Sequence, residues 1–335
     1  MADRYHKEWF QDIASHYGLR IRRIKSYDSL YKKNVVYRAT TDKGKFLIKP
    51  LNTRMQNKYL TKEQQAVKLF SFIRKLRKRH YPNFPGWLTT SSGKYYVNKN
   101  GKPYYMTEWI NGRSIQIDAK DYEALGKALA TLHTICKDRL PPMSPFTRQQ
   151  INLFKREERL FRLRLKNVQK KRSSAKRWFE KHGNRCIELA NEAWRIIETH
   201  DVRRILSHEK NHPALIHGDV TIPNIVINEK GLFLIDWDSL RMGSTYYELA
   251  KTLSNTTYYN PDLLSAMLRA YEEVKPLKPA ERLLISALFR LPREAWIAVR
   301  NLTFGRSQHY FRLLERSWDI RLQAIHTVDE WARKK

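Results

Sequence analysis

The stretch from Leu215 to Asp238 constrains this chain more than any other. It reads His217-Gly218-Asp219-Val220-Thr221-Ile222-Pro223-Asn224, then Ile225-Val226-Ile227, a turn signal at Glu229-Lys230-Gly231, and Leu232-Phe233-Leu234-Ile235-Asp236-Trp237-Asp238. Two short apolar runs around a glycine turn predict a β-hairpin. An Asp followed five positions later by Asn, here Asp219 and Asn224, is the spacing of a kinase catalytic loop. In such a loop the Asp accepts a hydroxyl proton and the Asn holds a metal ion. Twelve residues after Asn224 the hairpin delivers Asp236. Phosphoryl transfer needs such a carboxylate, because Mg²⁺ has to bridge the nucleotide phosphates and neutralise developing charge. Each fragment alone recurs by chance, and a plain surface loop would account for Asp219 and Asn224. The ordered combination is far more specific.

The rest of the chain divides into a β-rich start and a helical remainder. After a first helix, Ile21–Ser26, Asn34–Thr40 and Lys45–Lys49 read as strands, with a turn at Asp42-Lys43-Gly44. Thr61 and Gln64 form a capping box for a helix on which Val67, Phe70, Ile73 and Leu76 recur at helical spacing. Pro82 and Pro85 end that region, and two further strands follow, with turns at Ser92-Gly93 and Asn100-Gly101. Tyr104-Tyr105-Met106 leads into Thr107-Glu108-Trp109-Ile110-Asn111-Gly112-Arg113, the natural boundary between two lobes. Beyond it Tyr122, Leu125, Leu129, Leu132 and His133 share a helix face, and residues 262–335 are again helical, with Trp296, Trp318 and Trp331 expected to pack.

Charge narrows the partners. Lys and Arg total 64 against 33 Asp and Glu, a net charge of +31. That excess attracts polyanions and argues against a cationic substrate. Residues 145–181 alone hold 13 Lys or Arg against three Glu, interleaved with Phe154, Leu160, Phe161, Leu163, Leu165 and Trp178. They predict a pair of long basic helices joined near Lys171-Arg172-Ser173-Ser174, either a solvated face or a docking face for an anion. No helix-turn-helix, zinc-finger or aromatic RNA-binding signature accompanies the charge, so nucleic acid ranks last as a partner. The two cysteines, Cys136 and Cys186, predict neither a disulfide framework nor a zinc site. The N-terminal residues carry no apolar stretch, and no run is long enough to span a bilayer. Synthesis in a reducing cytoplasm, without a signal peptide or membrane span, is the expectation.

The run from His217 to Ala250 resembles the aminoglycoside/choline phosphotransferase superfamily, whose loop reads His-Gly-Asp and whose metal-binding Asp lies in an Ile-Asp-Trp/Phe segment. Phe84-Pro85, Thr89-Thr90, Gly93-x-Tyr95-Tyr96-Val97, Tyr105-Met106-Thr107-Glu108-Trp109-Ile110-x-Gly112-Arg113, Leu129-Ala130-x-Leu132-His133 and Asp236-Trp237-Asp238 resemble, within it, the CotS family of endospore coat proteins. The resemblance implies an α+β, two-lobed protein-kinase-like fold. Its N-lobe, residues 1–107, would be a small antiparallel β-sheet plus helix, and its C-lobe, residues 108–335, mainly α-helical with a basic insert at about 145–200. It implies ATP and Mg as cofactors, Asp219 as catalytic carboxylate, and Asn224 and Asp236 as metal ligands. Lys49 matches the lysine that contacts nucleotide phosphates, with Glu63 as its helix partner pointing inward beside Val67 and Phe70. Tyr105 to Trp109, with Glu108 and Trp109 as cofactor-binding positions, would be the hinge offering backbone groups to adenine. His217 would order the loop backbone, and Asp238 would lie behind the metal or cap a turn.

Three departures from the family pattern stand out. Tyr27-Asp28-Ser29-Leu30-Tyr31-Lys32-Lys33 holds no glycine where close approach to phosphates usually calls for one. Gly243-Ser244-Thr245 stands in place of Gly-Asp-Pro, and Glu248-Leu249-Ala250 in place of Asp-Leu-Ala. Two functional readings follow. One is a working kinase acting on a hydroxyl of an anionic or glycan substrate. The other is a catalytically weak or idle kinase-fold scaffold for spore coat assembly, with coat proteins or an anionic polymer bound through residues 145–181.

Overall fold

The computed structural model describes residues 2–28, 36–52, 60–135, 146–170 and 173–334. Most of the glycine-free loop, Cys136 and the Lys171–Arg172 junction lie outside the described residues. A helix, Ala2–Ser15 (α1), is followed by strands Ile21–Tyr27 (β1), Val36–Thr41 (β2) and Gly44–Pro50 (β3), then helix Lys62–Lys78 (α2) and strands Tyr96–Lys99 (β4) and Lys102–Glu108 (β5). The five strands form an antiparallel sheet in the order β1-β2-β3-β5-β4. The turn expected at Asp42-Lys43 joins β2 to β3, with Thr41 opposite Gly44.

Alternation along the strands gives this sheet two different faces. Ile48, Ala39, Met106 and Ile21 point one way and pack with Phe10, Ile13 and Ala14 of α1 into a buried cluster. Gln11 ties the helix to the sheet edge, donating to the Leu19 carbonyl at 3.0 Å and accepting from the Ile21 N–H at 2.7 Å. Lys49 and Tyr105, directly opposite each other in the β3–β5 register, belong to the other face.

The Thr61/Gln64 capping box opens α2 as its sequence predicts. Its buried face is Ala66, Leu69, Phe70, Phe72, Ile73 and Leu76, with Phe70 stacked on Tyr96 at a centroid distance of 5.2 Å. Val67, placed on that face by its spacing, is 56% exposed. The stripe is set by what α2 packs against, and its aromatic contacts at Phe70 turn Val67 outward.

Downstream come strand Arg113–Ser114 (β6), helices Ala119–Ile135 (α3), Phe146–Lys170 (α4), Ser174–Ile197 (α5) and His200–Asn211 (α6), and strand Ala214–Ile216 (β7). The hairpin Ile225–Asn228 (β8) and Gly231–Leu234 (β9) follows, and β6 adds to it as a third strand. Strand Arg241–Gly243 (β10) and helices Thr245–Thr256 (α7), Pro261–Val274 (α8), Pro279–Arg290 (α9), Arg293–Thr303 (α10) and His309–Arg333 (α11) complete the chain.

The chain forms two compact units. The first comprises residues up to Ile115 with His217–Asp219 and Pro223–Arg241, and the second holds the remaining helices. In the second, α3 and α8 cross so closely that a Cβ on Gly126 would lie 2.3 Å from the Met267 carbonyl oxygen. The basic segment is two helices, as expected. Phe154, Phe161, Leu165 and Val168 of α4 and Trp178, Phe179 and Cys186 of α5 are buried, and Trp178 meets Trp318 edge-on. Trp296, Trp318 and Trp331 are buried packing residues. Among the described residues no helix is long and apolar enough to cross a membrane.

Candidate active site

Within the first unit the loop after β7 and the end of β9 meet the sheet face that carries Lys49. Gly218 makes the loop possible. Its φ is +85°, and a Cβ there would fall 2.0 Å from Arg241 Nη1 and 2.4 Å from the Ser239 carbonyl oxygen. Only glycine fits both the left-handed backbone and the space. His217 is fully buried, and its ring is fixed from both sides. The Asp219 N–H donates to Nδ1 at 3.3 Å, so the other nitrogen, Nε2, carries the proton and donates to the Ile235 carbonyl at 3.0 Å. His217 therefore binds the loop backbone to the hairpin strand. Asn224 closes the loop by donating through Nδ2 to the Asp219 carbonyl at 2.9 Å. The Ile235 N–H donates to the Asn224 carbonyl at 2.9 Å, which sets Asn224 beside the residue preceding Asp236.

Asp236 stands in a left-handed conformation, φ 63° and ψ 60°, ahead of a short 3₁₀ turn over Trp237–Ser239. A non-glycine residue held there costs about 1 kcal/mol or more and persists only where its surroundings enforce it. Trp237 does the enforcing. It is 1% exposed, donates through Nε1 to the Leu234 carbonyl at 2.7 Å, and packs against Tyr81, Phe84 and His217. With the indole anchored inward, the flanking carboxylates Asp236 and Asp238 are both turned toward Lys49.

Lys49 Nζ lies 2.5 Å from Asp236 Oδ1 and 2.9 Å from Asp238 Oδ2. Asp238 also accepts from the Tyr105 hydroxyl at 2.9 Å and from the Asn52 N–H at 3.3 Å. Burial works against charge on Lys49, but Asp238 and then Asp236 outweigh it and hold the ammonium above its ordinary range. Burial likewise lifts the Asp238 carboxyl above its usual value, against the pull of Lys49. The short, multiply bonded geometry favours the ion pair.

The structure thus brings Lys49, Asp236, Asp238, His217, Asp219 and Asn224 into one unit and corrects the expectation for Glu63. Glu63 is exposed on α2 and meets the Tyr96 hydroxyl at 3.5 Å; the acids on Lys49 come from the hairpin end instead. Glu63 stands in the first turn of α2, ahead of its first buried residue, Ala66, and so stays outside. At the expected hinge, the Glu108 N–H donates to the Gly86 carbonyl at 2.8 Å and the Trp109 N–H to the Lys45 carbonyl at 3.0 Å, so both N–H groups are engaged. The Trp109 ring packs against Tyr27 at 5.1 Å, with the Arg38 guanidinium over both. In the second unit Glu248 is buried, with its Oε2 2.9 Å from His133 Nε2, so its extra methylene serves an internal contact.

Sequence reasoning missed Tyr105 and Asn52 as partners of Asp238. It also missed Asn83, whose side chain donates to the Leu232 carbonyl at 2.9 Å and whose carbonyl accepts from the Leu234 N–H at 2.9 Å. The pair of acids flanking Trp237 was the available signal, since an indole anchored in the core fixes the backbone that carries both.

The donors at the site suit Mg²⁺. The carboxylate of Asp236 and the amide oxygen of Asn224 are hard ligands, and Mg²⁺ takes one or two such groups along with water and phosphate oxygens. Among the described residues there is no cluster of three or more His, Cys, Asp or Glu that would form an all-protein cage.

The chain belongs to the phosphotransferase enzyme family, which matches residues 32–284. No curated protein matches it. Among solved structures, an aminoglycoside phosphotransferase from Alicyclobacillus acidocaldarius superposes with a TM-score of 0.81 at 18% identity, covering 96% of each chain. A spectinomycin phosphotransferase, solved with ADP and spectinomycin, gives 0.59 at 15% identity over 97% of each. The choline kinase LicA from Streptococcus pneumoniae gives 0.52 at 14% identity, covering 95% of this chain and 99% of that one. The fold is therefore the two-lobed kinase-like one, with an antiparallel-sheet N-lobe and a helical C-lobe.

Proposed function

We propose that the chain is an ATP- and Mg-dependent phosphotransferase that acts on a hydroxyl group. The observation that carries this reading is the convergence of Lys49 with Asp236 in the unit that also holds Asp219 and Asn224. Asp219 would accept or orient the proton of the attacking hydroxyl, and Lys49 would contact nucleotide phosphates. Asn224 and Asp236 would hold Mg²⁺, which supplies charge neutralisation at the transferring phosphoryl group. His217 keeps the loop in shape for this and moves no proton. The net charge of +31 favours an anionic or glycan acceptor over a cationic one. The CotS-type motifs favour a role in the spore coat, and the Thr107–Arg113 segment favours a boundary between the lobes near residues 107–108.

Solved relatives carry nucleotides: ADP in the spectinomycin phosphotransferase and AMP-PNP with Ca²⁺ in an amicoumacin kinase. Titration calorimetry with ATP in the presence and absence of Mg²⁺ tests the reading. Binding that requires Mg²⁺ is the expected result, with thermal stabilisation rising as RT ln(1 + [L]/Kd). The absence of binding at millimolar ATP and Mg²⁺ would turn the assignment to a coat-assembly scaffold, the reading that the glycine-free segment 27–33 favours.

A further inference from the structure

Two acids reach Lys49 from one short turn, yet their surroundings differ. The Asp238 side chain is 7% exposed and that of Asp236 is 36% exposed. Both oxygens of Asp238 are engaged: Oδ1 with the Tyr105 hydroxyl, Oδ2 with Lys49 and the Asn52 N–H. Tyr105 is itself held in place, stacked on Trp87 at 4.7 Å and buried. Helix α2 supplies no acid to the lysine, because its one first-turn acid, Glu63, is exposed.

We propose that Asp238 is the positioning residue for Lys49, and that Asp236 is the partner the lysine gives up when nucleotide and metal bind. This rests on Lys49 being the phosphate-facing lysine of the phosphotransferase reading. A carboxylate enclosed with donors on both oxygens cannot turn away without leaving a buried ammonium and a buried hydroxyl unpaired, which is costly. Asp236 has an open side and can exchange an ammonium for a divalent cation. Lysine and metal-binding acid are thereby tied to the same three-residue turn. The phosphate-contacting charge and the metal site keep a fixed separation, without a helix having to swing in to complete the set.

The test is residue-resolved acylation of lysines by acetic anhydride, read by mass spectrometry on the unliganded full chain. Lys49 should be strongly protected relative to exposed lysines such as Lys166. Asp238→Asn should raise its labelling about tenfold or more, since a lost hydrogen bond to a charged group releases the ammonium from its enclosed position. Asp236→Asn and Glu63→Gln should leave Lys49 protected, because water can take the place of the half-open Asp236 while Asp238 still encloses the ammonium, and Glu63 does not reach the lysine. Labelling in Asp236→Asn or Glu63→Gln that matches Asp238→Asn overturns the proposal, as does protection unchanged in Asp238→Asn. Should Asp238→Asn fail to fold, the other two variants still decide: protection in both supports the proposal, and exposure in either sinks it. Calorimetry on the same proteins separates the two levels of inference. ATP affinity should fall about tenfold in Asp238→Asn, the nucleotide counterpart of a lysine left unanchored, and hold in Glu63→Gln. If labelling behaves as expected while even the parent binds no nucleotide, the anchor stands and the phosphotransferase reading falls.

Discussion

Asp219 and Asp236 are only seventeen positions apart, but the roles assigned to them separate cleanly under mutation. Asp219 lies on the loop that His217 and Asn224 hold, whereas Asp236 sits on the strained turn beside Lys49. Asp219→Asn should lower kcat by roughly 10²–10⁴ and leave ATP affinity nearly intact, the signature of a group acting on the reacting hydroxyl. Asp236→Asn should abolish Mg-dependent nucleotide binding, because its charge is the main attraction for the cation. Slow ATP hydrolysis and calorimetry together read both variants. Equal loss of binding in the two would mean the roles are misassigned, and unchanged hydrolysis in both would remove them from catalysis altogether.

Between elements, the contact of greatest consequence outside the site is Glu209 of α6 at the start of α7. Its Oε1 accepts from the Thr245 N–H at 2.9 Å, satisfying one of the open donors of the α7 N-terminus, while Oε2 is buried without a hydrogen-bond partner among the described residues. Burial pushes its pKa from 4.5 up to about 7, against the pull of Ser244 and the Thr245 N–H. A carboxyl whose folded pKa is raised keeps its proton in the native state while the unfolded chain has already lost it. Stability therefore falls as pH rises from about 4.5 to about 7 and levels off above, a loss of roughly 3 kcal/mol. Glu209→Gln removes that slope, so the variant should gain on the parent between pH 5 and pH 8. Thermal melts at the two pH values read the difference, and parallel shifts in both proteins would contradict it.

The elements also show where a sequence can be read and where it cannot. The capping box of α2, the β2–β3 turn and the β8–β9 hairpin are each written within a few residues, and each formed where its pattern placed it. The loop from His217 to Asn224 was legible for the same reason. The helix face of α2 was not, because Val67 and Phe70 are equally apolar and only the aromatic strands around Phe70 distinguish them. The partner of Lys49 was hidden by distance. Asp236 is 187 positions away, and the Tyr105 hydroxyl that holds Asp238 comes from 133 positions upstream. Nothing local in the chain specifies such meetings.

At the scale of the whole molecule the charge of +31 is unevenly used. On α4 and α5, Lys155, Arg162 and Lys176 are paired with Glu198, Glu158 and Glu180. Arg156, Arg159, Lys166 and Lys170 are exposed at intervals of three, seven and four residues, which gives one face of α4 a run of cations. That face should bind heparin or an acidic polymer through charge. With about four contacts, affinity should drop roughly 10²-fold from about 50 to about 200 mM salt, by the counterion-release slope known for nucleic acids. Replacing the four with Gln should flatten the salt dependence. A slope that survives the replacement would move the binding surface elsewhere.

The first unit is discontinuous in the chain, and that fixes an order of events during synthesis. When a nascent chain has emerged only as far as Ile115, all five strands of the sheet and the two helices beside it are available, but Asp236 and Asp238 have not yet been made. Lys49 then lies on a face that has no counter-charge, next to a Tyr105 hydroxyl with no acceptor. About 120 more residues must pass before the hairpin arrives, roughly 6–25 s at ordinary rates of translation. Of the second unit's helices, α3 to α6 emerge in that interval, whereas α7 to α11 follow the hairpin. The N-terminal unit is thus completed late, by a segment that arrives after α3 to α6, and a nascent-chain holdase has its longest opportunity there.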